Sequence, residues 1–220
     1  MKKIILYGNT DFARMLKYYI DTDTNREIAF FTVEKEYINE YEIDSLEVVP
    51  FENISVDLYS PDEYEILICI GYSHMNEVRK KIYAKCKSLG YAIASYIHST
   101  TRIPYGTEIG EGNIILEDVT IQPFVKIGNS NLIWYKAAIA HDCALGDFNT
   151  ICGMVSLSGC VKINNNCFIG NNATIKDHIE VKDYTMIGAA TYISKDTEEC
   201  SVHVPARSVV LNKKSTEIKL

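Results

Sequence analysis

The chain carries an aliphatic residue at every sixth position from Ile97 to Ile193, without a single exception. A period of six is typical of a parallel β-helix, in which each hexad supplies one short strand and one corner and its aliphatic side chain points inward. The seventeen positions are Ile97, Ile103, Ile109, Ile115, Ile121, Ile127, Ile133, Ile139, Leu145, Ile151, Leu157, Ile163, Ile169, Ile175, Val181, Ile187 and Ile193. We therefore predict a β-helix over residues 97–220, including a C-terminal tail.

A second column supports this prediction. Mostly small or branched residues stand two positions before the aliphatic ones: Thr107, Val119, Val125, Ala137, Cys143, Val155, Val161, Cys167, Ala173, Thr185 and Thr191. Glycine often follows the aliphatic residue, at Gly110, Gly128, Gly146, Gly170 and Gly188. Each coil can then bury its apolar side on the next coil, as a solenoid requires.

Residues 1–96 show a different pattern, in which strand-like and helix-like segments alternate. We predict strands over 2–8, 27–33, 46–51 and 64–71, and helices over 11–21 and 74–90. Thr10 or Asp11 is the expected cap of the first helix, and Gly90 the stop of the second. Alternating strands and helices indicate a small parallel α/β sheet of Rossmann-like type.

The composition excludes several classes of protein. With 47% apolar and 23% charged residues among 220, the chain has the composition of a globular protein. No apolar run approaches the ~20 residues of a membrane helix, and the run after the two N-terminal lysines is too short for a signal peptide. A net charge of −7 argues against nucleic acid as a partner. Seven cysteines without a CxxC pair argue against a disulfide framework, so we expect a cytoplasmic protein.

The second half resembles the hexapeptide-repeat acyltransferases, which fold as a left-handed β-helix of triangular cross-section. The resemblance covers about residues 97–210 and implies three hexads, or eighteen residues, in each coil. Gly110, Gly128 and Gly146 lie eighteen residues apart, which agrees with such a coil. The fold alone does not specify a substrate, because it serves sugars, amino acids and antibiotics.

His141 belongs to a column without Ile, Val or Leu, so we expect it at a corner, outside the packed interior. The spacing leaves it either reactive or simply solvated. Imidazole suits a general base near neutral pH, and the adjacent Asp142 could orient the ring. Gly159 should stack on His141 one coil later, where it either offers its N–H to an oxyanion or merely forms a tight corner.

The segment from His141 to Phe148, together with the N-terminal α/β domain, narrows the resemblance. It is similar to the branch of nucleotide-sugar N-acetyltransferases and sialic acid O-acetyltransferases. The matching residues are His141, Asp142, Cys143, Leu145, Gly146, Asp147 and Phe148. The resemblance implies that the histidine is the general base, that the acid raises its basicity, and that the glycine one coil later helps to bind the oxyanion.

The same resemblance implies acetyl-CoA as the acyl donor and a homotrimer with the CoA pocket between neighbouring β-helices. We expect no metal, because three good ligands are lacking. Expected cofactor-binding residues are Thr150, Gly159, Gly170, Ala189 and Arg207. Thr150 departs from the pattern, because some relatives have a second histidine there. His203 also departs, since it replaces the glycine of a Gly-x-Pro-Ala segment. Arg207, Lys213 and Lys214 are either a contact for the CoA phosphates or a solvated basic tail.

The loop YGNTDFAR follows the first strand and opens the first helix, which is the usual place for a phosphate or nucleotide site. It contains one glycine rather than GxGxxG, so a classical NAD site is not expected. By resemblance, Gly8, Asn9 and Thr10 hold the nucleotide part of a sugar nucleotide, with help from Thr32 and Gly71. An ordinary strand–helix turn is the alternative.

These features predict an acetyl-CoA-dependent N-acetyltransferase acting on a nucleotide-linked amino-deoxysugar, such as a 4-amino-4,6-dideoxyhexose, in bacterial surface glycan (lipopolysaccharide or O-antigen) biosynthesis. The main alternative is a sugar O-acetyltransferase of the sialic acid type. Two minor alternatives stay open: a metal-dependent β-helix hydratase using His141 and His178, and a scaffold that only binds a sugar nucleotide. A zinc site would need three good ligands, and no third histidine follows His178 closely.

Overall fold

The computed structural model describes residues 1–208, 212 and 216, and it divides into a small α/β unit and a β-helix. The α/β unit contains β1 (Lys3–Tyr7), α1 (Asp11–Asp23), β2 (Ile28–Val33), β3 (Glu42–Ile43), β4 (Leu46–Pro50), β5 (Tyr64–Ile68) and α2 (Glu77–Ser88), with 3₁₀ turns at Lys35–Tyr37 and Phe51–Asn53. Its sheet has the order β3-β4-β2-β1-β5, and all neighbours are parallel except β3 and β4. The four parallel strands thus adopt the order of a Rossmann half-domain.

The β-helix consists of two-residue strands in three parallel sheets, and it confirms the predicted left-handed β-helix fold. The first sheet contains β6 (Tyr96–Ile97), β8 (Ile114–Ile115), β11 (Leu132–Ile133), β14 (Thr150–Ile151), β17 (Phe168–Ile169), β20 (Met186–Ile187) and β22 (Val202–His203). The second contains β9 (Thr120–Ile121), β12 (Ala138–Ile139), β15 (Ser156–Leu157), β18 (Thr174–Ile175) and β21 (Tyr192–Ile193). The third contains β7 (Glu108–Ile109), β10 (Lys126–Ile127), β13 (Ala144–Leu145), β16 (Lys162–Ile163) and β19 (Glu180–Val181).

The eighteen-residue coil is visible directly in the strand register. Ala138 pairs with Ser156, and Ile139 pairs with Leu157, one coil later. The aliphatic column fills the interior of the coils almost without exception. Ile103 is the exception, since it lies at the first incomplete coil and is 38% exposed. Stacking of these side chains along the axis supplies the core of the β-helix.

A buried asparagine ladder supports one edge of this core. Asn113, Asn131 and Asn149 lie one coil apart, and each is at most 1% exposed. The Asn113 side-chain oxygen accepts from the Asn131 backbone N–H at 2.9 Å, and the Asn131 oxygen accepts from the Asn149 N–H at 2.9 Å. Because the amide groups of all three also donate to backbone carbonyls, the side chains of this ladder are satisfied without water.

The helices and strands of the α/β unit differ from the predicted ranges at their ends. The second helix begins at Glu77 rather than at residue 74, because His74, Met75 and Asn76 have left-handed φ angles of 51°, 51° and 67°. Thr10 is the N-cap residue of α1, but its side chain makes no capping hydrogen bond. The predicted fourth strand stops at Ile68, which leaves Gly71 in the following loop.

The α/β unit contacts the first sheet of the β-helix through buried hydrogen bonds from Asn76 and Arg79. Arg79 is 2% exposed and donates to the carbonyls of Gly71, Ser130 and Asn149 at 2.8, 3.0 and 3.0 Å. The Asn76 amide donates to the Cys167 carbonyl at 3.1 Å. Burial lowers the pKa of the Arg79 guanidinium to about 9, so it still carries its charge at neutral pH.

Within the described residues, no helix is both long and apolar enough to cross a membrane.

Candidate active site at a corner of the β-helix

His141 lies two residues after β12, at the corner where the chain passes from the second sheet to the third. Neighbouring coils hold its backbone on both sides. Its N–H donates to the Gln122 side-chain oxygen at 2.9 Å, and its carbonyl accepts from the Cys160 N–H at 3.0 Å. The imidazole itself is 58% exposed, so a rigid backbone presents an accessible ring.

The neighbouring side chains of His141 and Asp142 meet, although they are adjacent in sequence. Asp142 has a left-handed φ of 59°, which bends the corner sharply enough to bring its carboxylate to the ring. His141 Nδ1 lies 2.9 Å from Asp142 Oδ2. When Nδ1 carries the proton and donates to the carboxylate, Nε2 keeps its lone pair and can accept a proton from a substrate.

Gly159 lies directly beneath the His141 ring, as the coil length predicts. A Cβ atom on Gly159 would stand 2.7 Å from His141 Nε2 and 2.8 Å from Cε1. Both distances are shorter than contacts that real side chains make, so a larger residue would push the ring away. The glycine therefore leaves room for the imidazole and keeps backbone next to the nitrogen that is free to act as a base.

An open groove runs from this corner along the second sheet. Its volume is about 400 Å³, and it is lined by Thr120, Gln122, Ala138, Ile139, Ala140, His141, Ser156, Leu157, Ser158 and Gly159. Most of these side chains are small, so a ligand or a second β-helix can approach the backbone closely. Sequence reasoning missed Gln122, which lies on the preceding coil, one position before the residue that stacks on His141.

The predicted nucleotide residues gather at the carboxyl edge of the α/β sheet. Gly8, Asn9 and Thr10 follow β1, and Gly71 follows the adjacent β5. Gly8 is required by a close approach, because its φ is 135° and a Cβ would stand 2.8 Å from the Cys69 carbonyl oxygen. The Asn9 amide donates to the Tyr37 carbonyl at 2.7 Å.

A cavity of about 430 Å³ opens beside these residues, and acidic side chains dominate it. Asn9, Asp11, Arg14, Asn39, Glu40, Glu42, Ile43 and Asp44 line it. Arg14 is the single cation of this lining, and it lies 3.4 Å from Asp44. This cavity is better suited to a base or a ribose, which carry hydrogen-bonding groups, than to a bare diphosphate.

Two of the predicted ligand contacts have buried side chains whose hydroxyls already donate hydrogen bonds within the protein. Thr32 is fully buried, and its hydroxyl donates to the Val49 carbonyl at 2.8 Å. Thr150 is fully buried beneath the α/β unit, and its hydroxyl donates to the Asn76 side-chain oxygen at 2.7 Å. Neither hydroxyl is exposed for a ligand in this structure.

The remaining cofactor candidates lie apart from His141 within one chain. Gly170 and Ala189 follow strands of the first sheet and occupy the corner before the second sheet, whereas His141 occupies the corner after it. A Cβ on Gly170 would stand 2.6 Å from the Ala189 backbone nitrogen, so these two positions stack tightly. Arg207 is exposed after the last coil, and Lys213 and Lys214 lie outside the described residues.

The geometry does not support a pair of histidines as metal ligands. Among the described residues, the one group of three possible ligand atoms that all lie within 4.8 Å of one another belongs to His141, Asp142 and Cys160, and His178 is not part of it. His178 Nε2 lies instead 3.9 Å from the neighbouring Asp177. The two histidines therefore do not form the arrangement that the hydratase alternative requires.

No family model matches the chain. Several solved structures do. The acetyltransferase domain of PglB from Neisseria gonorrhoeae FA1090 has a TM-score of 0.80 and 19% sequence identity, covering 93% of this chain and 97% of that one. A variant of perosamine N-acetyltransferase from Caulobacter crescentus, in complex with CoA and GDP-perosamine, has a TM-score of 0.83 and 18% identity, covering 93% and 94%. WeeI from Acinetobacter baumannii AYE has a TM-score of 0.69 and 18% identity, covering 92% and 94%.

These similarities establish the fold. They extend over both the α/β unit and the β-helix, because more than nine-tenths of each chain is aligned. At identities below one fifth, they do not transfer an activity by themselves.

Proposed function

We propose that the protein transfers an acetyl group from acetyl-CoA to the amino group of a nucleotide-linked amino-deoxysugar. The observation that carries this proposal is the corner formed by His141, Asp142 and Gly159, in which a paired imidazole stands over bare backbone. This corner lies on a fold shared with the acetyltransferase domain of PglB and with perosamine N-acetyltransferase, structures solved with acetyl-CoA or with CoA and GDP-perosamine.

In the proposed reaction, the sugar amine attacks the thioester carbonyl of acetyl-CoA. His141 Nε2 accepts the proton that the nitrogen loses, while Asp142 holds Nδ1–H and stabilises the imidazolium. The backbone N–H of Gly159 is proposed to donate to the oxyanion of the tetrahedral intermediate. Collapse of this intermediate breaks the carbon–sulfur bond, and the leaving thiolate takes the proton from the His141 imidazolium, so the products are the N-acetyl sugar nucleotide and CoA, with His141 neutral again.

The nucleotide is proposed to bind at the carboxyl edge of the α/β sheet, near Gly8, Asn9, Thr10 and Gly71. Parallel sheets commonly bind ligands outside the carboxyl ends of their strands. Asn9 and Thr10 lie at the N-terminus of α1, where the backbone N–H groups favour an anion. The perosamine N-acetyltransferase structure contains GDP-perosamine, which makes a nucleotide-linked amino sugar the first substrate class to test.

Acetyl-CoA is proposed to lie in the groove along the second sheet, with a neighbouring β-helix of a homotrimer as its other wall. The groove is open on the side away from the chain, so one chain alone cannot enclose the thioester. Gly170, Ala189 and Arg207 are proposed to contact the cofactor in that assembly. All seven cysteines are unpaired, which supports a reducing compartment such as the cytoplasm. A role in surface glycan synthesis is part of the same proposal.

A panel of acetyl-CoA and longer acyl-CoA thioesters, each mixed with amino-sugar nucleotides and with sialic acid, tests this function by liquid chromatography. The expected product is an N-acetylated sugar nucleotide, formed together with one equivalent of CoA. Acetylation of sialic acid alone would favour the O-acetyltransferase alternative. Binding of a sugar nucleotide without turnover, with every acyl donor, would favour the scaffold.

A further inference from the structure

Cys160 stands beside the catalytic pair, and the proposed reaction does not use its thiol. Its position is eighteen residues after Asp142, so the two occupy the same corner on successive coils. The Cys160 N–H donates to the His141 carbonyl at 3.0 Å, which fixes the two backbones together. The thiol is half-buried, while the imidazole and carboxylate are 58% and 55% exposed.

The three side chains offer three different metal-binding atoms in one place. The ring nitrogen of His141, a carboxylate oxygen of Asp142 and Sγ of Cys160 all lie within 4.8 Å of one another. Ligand atoms around a tetrahedral Zn²⁺ ion with bonds of 2.0–2.3 Å lie about 3.3–3.8 Å apart. Side-chain rotations that move the ligand atoms by about 1 Å would therefore bring them to zinc-binding distances. The exposed imidazole and carboxylate have room for such rotations.

We propose that His141, Asp142 and Cys160 form a three-ligand site for a thiophilic divalent cation, with Zn²⁺ as the best-matched ion, and that its binding reversibly inhibits the enzyme. Thiolate and imidazole ligands favour Zn²⁺ over Mg²⁺ or Ca²⁺, which prefer oxygen. The thiol releases its proton to solvent when it binds the ion, and water occupies the fourth position. The inhibitory part of this inference depends on the proposed function, whereas the metal site itself does not.

Inhibition follows whichever nitrogen of His141 binds the ion. An ion at Nε2 occupies the lone pair that would accept the proton of the substrate. An ion at Nδ1 displaces the proton onto Nε2, which then becomes a donor, and it also removes the hydrogen bond to Asp142. In both cases the ring stops being a base at the required atom.

Two readouts test the site on the full-length protein. The first is the affinity for Zn²⁺ alone, measured by competition with a chromophoric chelator, together with the thiolate-to-metal charge-transfer absorbance of the Co²⁺ form. Removing a residue that binds the metal directly should lower the metal affinity at least as much as removing a residue that only orients a ligand. Cys160→Ser should therefore weaken Zn²⁺ binding by more than about tenfold and abolish the charge-transfer band. Cys200→Ser is the matched control, because Cys200 is more exposed and lies outside the cluster; its affinity should stay within about twofold of the original.

The second readout is acetyl transfer with increasing Zn²⁺, expressed relative to the metal-free rate of each variant. Zn²⁺ should inhibit the original protein and its Cys200→Ser variant, a chelator should reverse the inhibition, and Cys160→Ser should resist it. Equal Zn²⁺ affinity in Cys160→Ser and the original protein would overturn the site, even if activity is normal. Lack of any acetyl transfer, with the cobalt band present, would contradict the proposed function and leave the metal site standing. Asp142→Asn provides a second weakened variant if Cys160→Ser does not fold.

Discussion

Arg79 gives a sharp test of how the α/β unit is held against the β-helix. The perturbation is Arg79→Met, which keeps a long unbranched side chain and removes both the charge and the donors. Four backbone carbonyls lose a hydrogen bond: those of Gly71, Ser130 and Asn149, at 2.8, 3.0 and 3.0 Å, and more weakly that of Ile70, at 3.4 Å. Asn149 keeps a second donor, the Leu132 N–H at 2.9 Å, so its loss is the smallest.

The expected cost follows from the two carbonyls that lose their donor from Arg79. A buried polar group without a partner costs about 1–3 kcal/mol, which applies in full to the Ser130 carbonyl, whereas the Gly71 carbonyl is only partly buried and costs less. Removing a buried, desolvated cation returns part of that free energy. We therefore expect the free energy of unfolding to fall by about 1–3 kcal/mol.

The assay is urea denaturation followed by circular dichroism and by tyrosine fluorescence, since two probes show whether the two units still unfold together. The matched control is Arg102→Met, which removes an exposed arginine and should change the free energy by less than about 0.5 kcal/mol. A change below about 0.5 kcal/mol in Arg79→Met would refute the view that this side chain holds the two units together.

Three further predictions concern the corner and the interface. Gly159→Ala places a Cβ 2.7 Å from His141 Nε2, so the ring should be displaced. We expect kcat to fall by about 10²-fold and the unfolding midpoint to stay unchanged. Wild-type turnover would contradict the close contact. Asp142→Asn should lower kcat by about 10- to 100-fold, which is less than the loss expected when His141 is replaced. Steady-state kinetics of the two variants test this, and a larger loss in the Asp142 variant would contradict the assigned roles. The Tyr184 hydroxyl, which donates to Glu77 at 2.7 Å, lowers the pKa of that carboxyl. A carboxyl whose pKa is lowered in the folded protein stabilises the fold above its usual pKa of about 4.3, and this contribution is lost as pH falls through the folded pKa. Glu77→Gln should therefore be destabilising at pH ~7 and progressively less so as the pH is lowered, as denaturation at several pH values would show.

The period of six made the β-helix predictable because its geometry repeats in the sequence. Every hexad must direct one aliphatic side chain inward, so the eighteen-residue spacing of Ile139 and Leu157 predicts that they stack on successive coils. The same arithmetic placed Gly159 beneath His141. The sequence analysis overlooked the asparagine ladder of Asn113, Asn131 and Asn149, in which a buried amide takes the place of a small apolar residue once in every coil.

Contacts between the two units could not be predicted, since no repeat relates residues that are so far apart in sequence. Thr150 resembled a cofactor contact by its distance from His141, yet the α/β unit covers it and Asn76 takes its hydroxyl. Thr32 was expected to contact the nucleotide by resemblance, yet it lies within β2 and its hydroxyl donates to the Val49 carbonyl of the neighbouring strand. Nothing in the local sequence of Arg79 signals its buried position.

General base catalysis by His141 is the central claim, and one comparison of turnover numbers tests it most directly. Acetyl transfer by His141→Asn should be measured beside His178→Asn, which removes another exposed corner histidine next to an aspartate, with Nε2 at 3.9 Å from Asp177. We predict that kcat falls by about 10²–10⁴-fold in His141→Asn and stays within about twofold in His178→Asn. Turnover by His141→Asn close to that of the original protein would contradict the claim.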